Sequence, residues 1–173
     1  EISELIAAGE VVERPASVIK ELVENSIDAG ADNITVEIQH GGITYMRITD
    51  NGCGIARNDV PTAFLRHATS KIKSSGDLNA IGTLGFRGEA LTKPRENDLG
   101  THYEIDGGQE KLCEEAGCPD GTTIVIRDIF YNTPARMKFL KKDVSEANAA
   151  AAVVERIALS HPEIAFKLIR DGK

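Results

Sequence analysis

Glu21, Asn25 and Asp28 are spaced i, i+4 and i+7, which on a helix sets a carboxylate, a carboxamide and a second carboxylate along one stripe. A carboxylate one turn from a carboxamide can do two jobs. It can activate a water molecule as a general base, while the amide offers a neutral oxygen to Mg²⁺. Taken alone, E-x-x-x-N also fits an ordinary solvated face, and Lys20 with Glu24 reads as an exposed pair of that kind. Asp50 opens a second set, Asp50-Asn51-Gly52-Cys53-Gly54. Its carboxylate can accept a hydrogen bond from an exocyclic amine, and the glycines let backbone pass close to a flat ligand; the same residues also spell a common turn. The third set is Gly85-Phe86-Arg87-Gly88-Glu89-Ala90-Leu91, a glycine loop running into a helix start expected at 88–91. Unpaired amides and the helix dipole at such a start suit phosphate oxygens. Thr69, Ser70 and Lys71 add two hydroxyls and an ammonium on a neighbouring stretch. A phosphate loop of the G-x-x-x-x-G-K-[ST] type is absent, as is a G-x-G-x-x-G after a strand, so nucleotide binding here would need another architecture.

These groups need elements to hold them. Pro15 and Gly30 bracket a helix, and Val18, Ile19, Leu22, Val23 and Ile27 recur between them at helical spacing. Ile34, Val36 and Ile38 alternate with polar residues and predict a strand over 33–39. Gly41-Gly42 turns the chain into a second strand over 43–49, completing a hairpin. Its alternation sets Met46, Ile48 and Asp50 on one face, so a carboxylate shares a face with core residues. A helix over 58–68, an irregular stretch over 69–88 and strands over 101–105 and 122–128 follow, with a turn at Gly107-Gly108. A short helix over 133–140, an alanine-rich helix capped by Ser145 and running to about 159, and a strand over 165–170 complete the chain. Interleaved strands and helices with an antiparallel opening predict an α+β fold, a two-layer sandwich on a mixed sheet. One junction breaks the pattern. The helix start at 88–91 meets Thr92-Lys93-Pro94-Arg95, whose proline ends helices, and so short an element leaves its end groups unpaired. Residues are therefore expected to be missing between 91 and 92.

Composition bounds the class. The 173 residues suit one domain, and 41% hydrophobic with 27% charged residues excludes intrinsic disorder. The longest apolar run, Ala149–Val154, falls far short of a membrane span, and no charged leader precedes an apolar stretch. A net charge of −7 argues against a protein that simply coats nucleic acid. The charge is uneven: residues 1–50 carry 3 basic and 10 acidic groups, residues 51–95 carry 7 and 3, and residues 96–173 carry 10 and 14. A positive middle in an acidic chain is what a localised anion site requires. Cys53, Cys113 and Cys118 have no disulfide or zinc spacing, and His40, His67, His102 and His161 stand singly. A reducing, intracellular compartment is expected, without a structural metal.

In chain order, Glu21/Asn25, Asp50-x-Gly52-x-Gly54, Gly85-x-x-Gly88 and Gly121-Thr122 follow the motif order of the GHKL ATPase superfamily. Within it the chain closely resembles the bacterial MutL family of mismatch-repair proteins. The strings that carry the resemblance are Ile6-Ala7-Ala8-Gly9-Glu10-Val11-Val12, Glu21 through Gly30, Asp50 through Ile55, His67 through Ile72, Gly85 through Leu91, and Phe130-Tyr131-Asn132-Thr133-Pro134-Ala135-Arg136. The resemblance implies an ATP-binding fold with ATP and Mg²⁺ as ligands. It implies Glu21 as general base, Asn25 as the protein ligand to Mg²⁺, and Asp28 in the same binding stripe. Asp50 is implied as the partner of the adenine amine, supported by Thr122 or Thr123, with Gly54 beside the base. Thr69, Ser70, Lys71 and the amides of Phe86, Arg87 and Gly88 are implied as a lid over the phosphates.

The family further implies a cytoplasmic, nucleoid-associated protein that dimerises on ATP binding and links MutS, DNA and downstream repair factors, with no membrane role. Residues 1–173 are then an ATP-binding subdomain, separated from a second subdomain that supplies a γ-phosphate lysine and from a C-terminal dimerisation domain. Such a piece is expected to hydrolyse ATP poorly or not at all. Two other classes fit less well: a different GHKL enzyme, and a nucleotide-independent DNA-binding or scaffolding module using Arg136, Lys138, Lys141 and Lys142.

Overall fold

The computed structural model describes residues 14–66, 87–131 and 134–173. Its first element is helix α1 (Pro15–Asp28), with proline in the opening turn, where its missing N–H removes no helical hydrogen bond. The helix buries Ile19, Leu22 and Val23. Strands β1 (Asn33–Gln39) and β2 (Tyr45–Asp50) form the expected antiparallel hairpin, joined through a 3₁₀ turn at His40–Gly42. A second 3₁₀ turn (Arg57–Asp59) leads into helix α2 (Val60–Arg66). Strands β3 (Arg87–Lys93), β4 (Gly100–Asp106), β5 (Gln109–Ala116) and β6 (Gly121–Arg127) follow. A short helix α3 (Pro134–Met137), the long helix α4 (Asp143–Ser160) and strand β7 (Ala165–Arg170) end the chain.

The seven strands among the described residues form one sheet in the order β5-β4-β3-β6-β2-β1-β7. β7 runs parallel to β1 and every other neighbouring pair is antiparallel, so the sheet is mixed and the architecture is the expected α+β sandwich. Helices α1 and α4 pack against each other over one face. That inner face carries Ile34, Val36, Ile38, Met46, Ile48, Ala90, Tyr103, Ile105, Ile124 and Ile126, which meet Ile19, Leu22, Val23, Ala147, Ala150 and Val154 in a single core. The small side chains of α4 let it lie close to its neighbours, and apolar burial of this kind is the main stabilising term.

Two expectations need correction, and one strand went unpredicted. The helix start at 88–91 is strand: Gly88, Ala90 and Thr92 are buried while Glu89, Leu91 and Lys93 are half-exposed, and β3 is paired on both sides. Period-two burial and two ladders of hydrogen bonds outweigh the local helical propensity of Glu-Ala-Leu. Ser145 does not cap α4, which begins two residues earlier with Lys142 at the cap position, so Ser145 lies inside the first turn. β5 was not foreseen at all. Its sequence, QEKLCEEA, has no alternation to reveal it, because it is a sheet edge with charged residues exposed to water.

Candidate functional site

Ser26 is the one polar residue on the buried face of α1. Its hydroxyl donates to Asp50 Oδ2 at 2.7 Å, with the Leu22 carbonyl 3.1 Å away. Asp50, at the end of β2, is only 9% exposed, and its Oδ1 accepts from the Gly52 amide at 2.9 Å. A carboxylate taken out of water is costly unless charge-assisted hydrogen bonds replace hydration, and these two supply part of that replacement. The carboxylate has further lone pairs, which is what an amine donor would use.

The segment after Asp50 is fixed on several sides. Cys53 N donates to the Ala29 carbonyl at the end of α1 (2.9 Å). Asn51 Oδ1 accepts from the amides of Asp32 and Asn33 at 3.1 and 3.0 Å, and Asn51 Nδ2 donates to Asp32 Oδ1 at 2.7 Å. Arg95 Nη2 donates to the Asn51 carbonyl at 2.9 Å. Glu21 and Asn25 are half-buried on α1, with Asp28 exposed. Ala29, one turn beyond Asn25 on that stripe, touches this loop, so the helix stripe and the Asp50 loop adjoin. Carboxylate and carboxamide oxygens are the hard donors Mg²⁺ prefers, and the stripe's donor set therefore fits that ion.

A polar row crosses the otherwise apolar inner face. Asp50 on β2 stands opposite Thr122 on β6, Thr122 opposite Thr92 on β3, and Thr92 opposite Thr101 on β4. All four are buried, and Thr92 is 0% exposed. Thr92 Oγ1 lies 2.8 Å from Thr122 Oγ1, accepts from Ile55 N at 2.9 Å and lies 3.2 Å from the Gly121 carbonyl as a donor. Such a row has no packing advantage over valines, so it marks one end of these strands as a place for polar chemistry.

Several expected site residues fall elsewhere. Thr123 is on the opposite sheet face, where its Oγ1 donates to Thr49 Oγ1 at 3.2 Å. Arg87 and Gly88 lie in β3, whose amides serve ladders rather than the start of a helix. A Cβ on Gly54 (φ +74°) would stand 2.4 Å from the Lys93 carbonyl oxygen, so this glycine admits a neighbouring peptide of its own chain. Thr69, Ser70, Lys71 and Phe86 lie outside the described residues. Ser26, Asn51 and Thr92 were not foreseen. Ser26 had a sequence signal, a lone hydroxyl on an apolar helix face.

A family described as histidine kinase-, DNA gyrase B- and HSP90-like ATPases matches residues 13–92. The DNA mismatch repair protein MutL of Agathobacter rectalis is 55% identical over 97% of this chain and 28% of its own length. The MutL of Thermoanaerobacter pseudethanolicus is 52% identical over 97% of this chain and 29% of its own. The chain thus spans under a third of the length of these curated relatives. Among solved structures, the Aquifex aeolicus MutL ATPase domain complexed with ADP superposes with a TM-score of 0.79 at 33% identity, covering 94% of this chain and 62% of that one. The topoisomerase IV ATP-binding domain of Francisella tularensis, at 18% identity and a TM-score of 0.64 over 94% of this chain and 86% of that one, shares the fold.

Proposed function

From the premise that this chain belongs to the MutL family, in the part that folds as a GHKL-type ATPase domain, we propose that it binds ATP beside Asp50 and serves as the nucleotide switch of a mismatch-repair protein. The observation that carries the proposal is the buried Asp50 carboxylate, hydrogen-bonded through Ser26 to the helix that bears Glu21 and Asn25. Asp50 accepts the adenine amine, and Thr122, beside it in the buried polar row, supports that contact. Asn25 holds Mg²⁺, with Asp28 beside it in the same stripe; when bound, the ion neutralises charge on the phosphates. Glu21 orients a water and takes its proton as the oxygen attacks the γ-phosphorus, while the bond from that phosphorus to the bridging oxygen breaks and ADP leaves. The ADP complex of the Aquifex aeolicus domain supports a nucleotide of this class.

The wider role rests on the relatives. ATP binding favours a dimer-competent state that engages MutS, DNA and later repair factors, in a cytoplasmic, nucleoid-associated protein. Turnover is weak in these 173 residues and requires a lysine from a second subdomain. The proposed gap at the 91–92 junction is supported only by alignments of 180 positions over 97% of a 173-residue chain, which leave positions in the relatives without a counterpart here; because 87–93 is strand, no truncated helix supports it.

Calorimetric titration with a non-hydrolysable ATP analogue tests the proposal. Saturable binding that weakens without Mg²⁺ and in Asn25→Ala is expected, and Glu21→Ala should keep binding while abolishing turnover in a longer chain that carries the second subdomain. No binding by the unaltered chain would favour a nucleotide-independent scaffold.

A further inference from the structure

The sheet face turned away from α1 and α4 carries a second cluster that nucleotide binding does not use. On this face Glu89 of β3 stands directly opposite Glu104 of β4, and His102 of β4 directly opposite Glu114 of β5. Glu89 Oε1 lies 3.1 Å from His102 Nε2, and Glu104 Oε1 lies 3.3 Å from the same nitrogen. The three donor atoms are all within 4.8 Å of one another. Glu114 Oε1 is 3.9 Å from the other ring nitrogen, Nδ1.

Like charges directly opposite on antiparallel strands are destabilising, and three carboxylates around one imidazole leave excess negative charge even when the ring is protonated. Of the nearby cations, Arg87 is engaged with Asp106 at 3.6 Å and the Tyr131 ring at 5.3 Å, Arg127 lies over the Tyr45 ring at 4.9 Å, and Lys111 lines the adjoining groove; among the described residues none of them is ion-paired with these carboxylates. A divalent cation would resolve the imbalance. Metal–ligand bonds of about 2.0–2.1 Å in a tetrahedral site place donor atoms roughly 3.3–3.4 Å apart. The two separations from Nε2 are already close to that edge. The side chains stand on paired strands, so the backbone holds them in place.

We propose that His102 Nε2, Glu89 and Glu104 form a binding site for a divalent transition-metal ion such as Zn²⁺. Imidazole with carboxylates suits Zn²⁺ and its first-row neighbours better than an all-oxygen set would. Three protein ligands leave a fourth position for water, reached from an adjoining groove of about 240 Å³ lined by Arg87, Glu89, Glu104, Lys111 and Arg127. Glu114 Oε1, 3.9 Å from Nδ1 and beyond hydrogen-bond distance, stands on the side from which a carboxylate would orient the ring.

The test is a Zn²⁺ titration of the chain against a chromophoric chelator, repeated with Co²⁺ to read coordination by visible absorption. One equivalent of Zn²⁺ is expected to bind, with tetrahedral Co²⁺ bands that lack thiolate charge transfer. The near-isosteric Glu89→Gln should weaken binding at least tenfold, His102→Ala should abolish it, and Glu114→Gln should weaken it less than Glu89→Gln does. Zn²⁺ should also shift the ring resonances of His102 and leave those of His161 in place. Asp50→Asn should leave Zn²⁺ affinity unchanged, which separates this site from the nucleotide proposal. Unchanged affinity in both Glu89→Gln and His102→Ala, or thiolate charge transfer from Cys53, Cys113 or Cys118, would overturn it.

Discussion

Ser26 and Gly121 are the residues through which the Asp50 site is most open to test. Ser26 gives Asp50 a charge-assisted hydrogen bond at 2.7 Å inside the core. Removing the neutral donor of a buried hydrogen bond to a carboxylate leaves the carboxylate short of a partner, at a cost of about 1–3 kcal/mol. Ser26→Ala should therefore lower the stability measured by urea unfolding by that amount, and should weaken binding of an ATP analogue because the carboxylate is no longer held. Gly121 opens β6 at φ +101°, and a Cβ there would lie 2.2 Å from the Asp50 carbonyl oxygen. Gly121→Ala adds an unfavourable backbone conformation to a backbone clash, so a loss of roughly 2 kcal/mol or more is expected from the same measurement. Asp50 itself was legible in the sequence, because alternation from Met46 and Ile48 put a carboxylate on a core face. Thr92 was not, because Thr122 is brought to it only by strand pairing and Ile55 only by the path of the loop after β2.

Among the elements, α1, β1, β2 and β7 were foreseen closely because each has a strong period and clear punctuation: Pro15 and Gly30 for the helix, and alternating isoleucine and valine for β1. β3 and β5 were hidden for opposite reasons. β5 is an exposed edge with no apolar alternation, whereas β3 reads locally as a helix start and becomes strand only by pairing with β4 and β6. A strand between two partners protects its amides, while a frayed helix end exposes them. Hydrogen–deuterium exchange should accordingly show slow exchange across 88–92 and fast exchange in β5. Rapid exchange throughout 87–93 would contradict the pairing of β3.

For the molecule as a whole, three groups act together at alkaline pH. Burial, with Glu110 beside it, pushes the Tyr103 hydroxyl above its ordinary value near 10. Burial also raises the Cys118 thiol, and the hydrogen bond to Asp120 at 2.7 Å raises the Lys93 ammonium. Each folded-state pKa is above its unfolded counterpart, so each contribution is fully present below the unfolded value and is lost as pH rises through the folded one. Stability should fall above about pH 9–10, where these groups begin to titrate when unfolded. Tyr103→Phe should make that fall shallower while keeping the ring contact with Phe64 at 5.2 Å, as thermal melts between pH 8 and 11 would register. The parallel pairing of β1 with β7, which joins residues 33–38 to 165–170, has a consequence in time. On a ribosome the β1–β2 hairpin emerges with both outer edges bare, and the cover for its β1 edge, strand β7, is made only after β3 to β6 and helix α4. Closing a loop that spans most of the chain is entropically slow. During synthesis that bare edge can pair with the β1 of another nascent copy, so the rate at which β7 arrives sets how long the chain is exposed to aggregation.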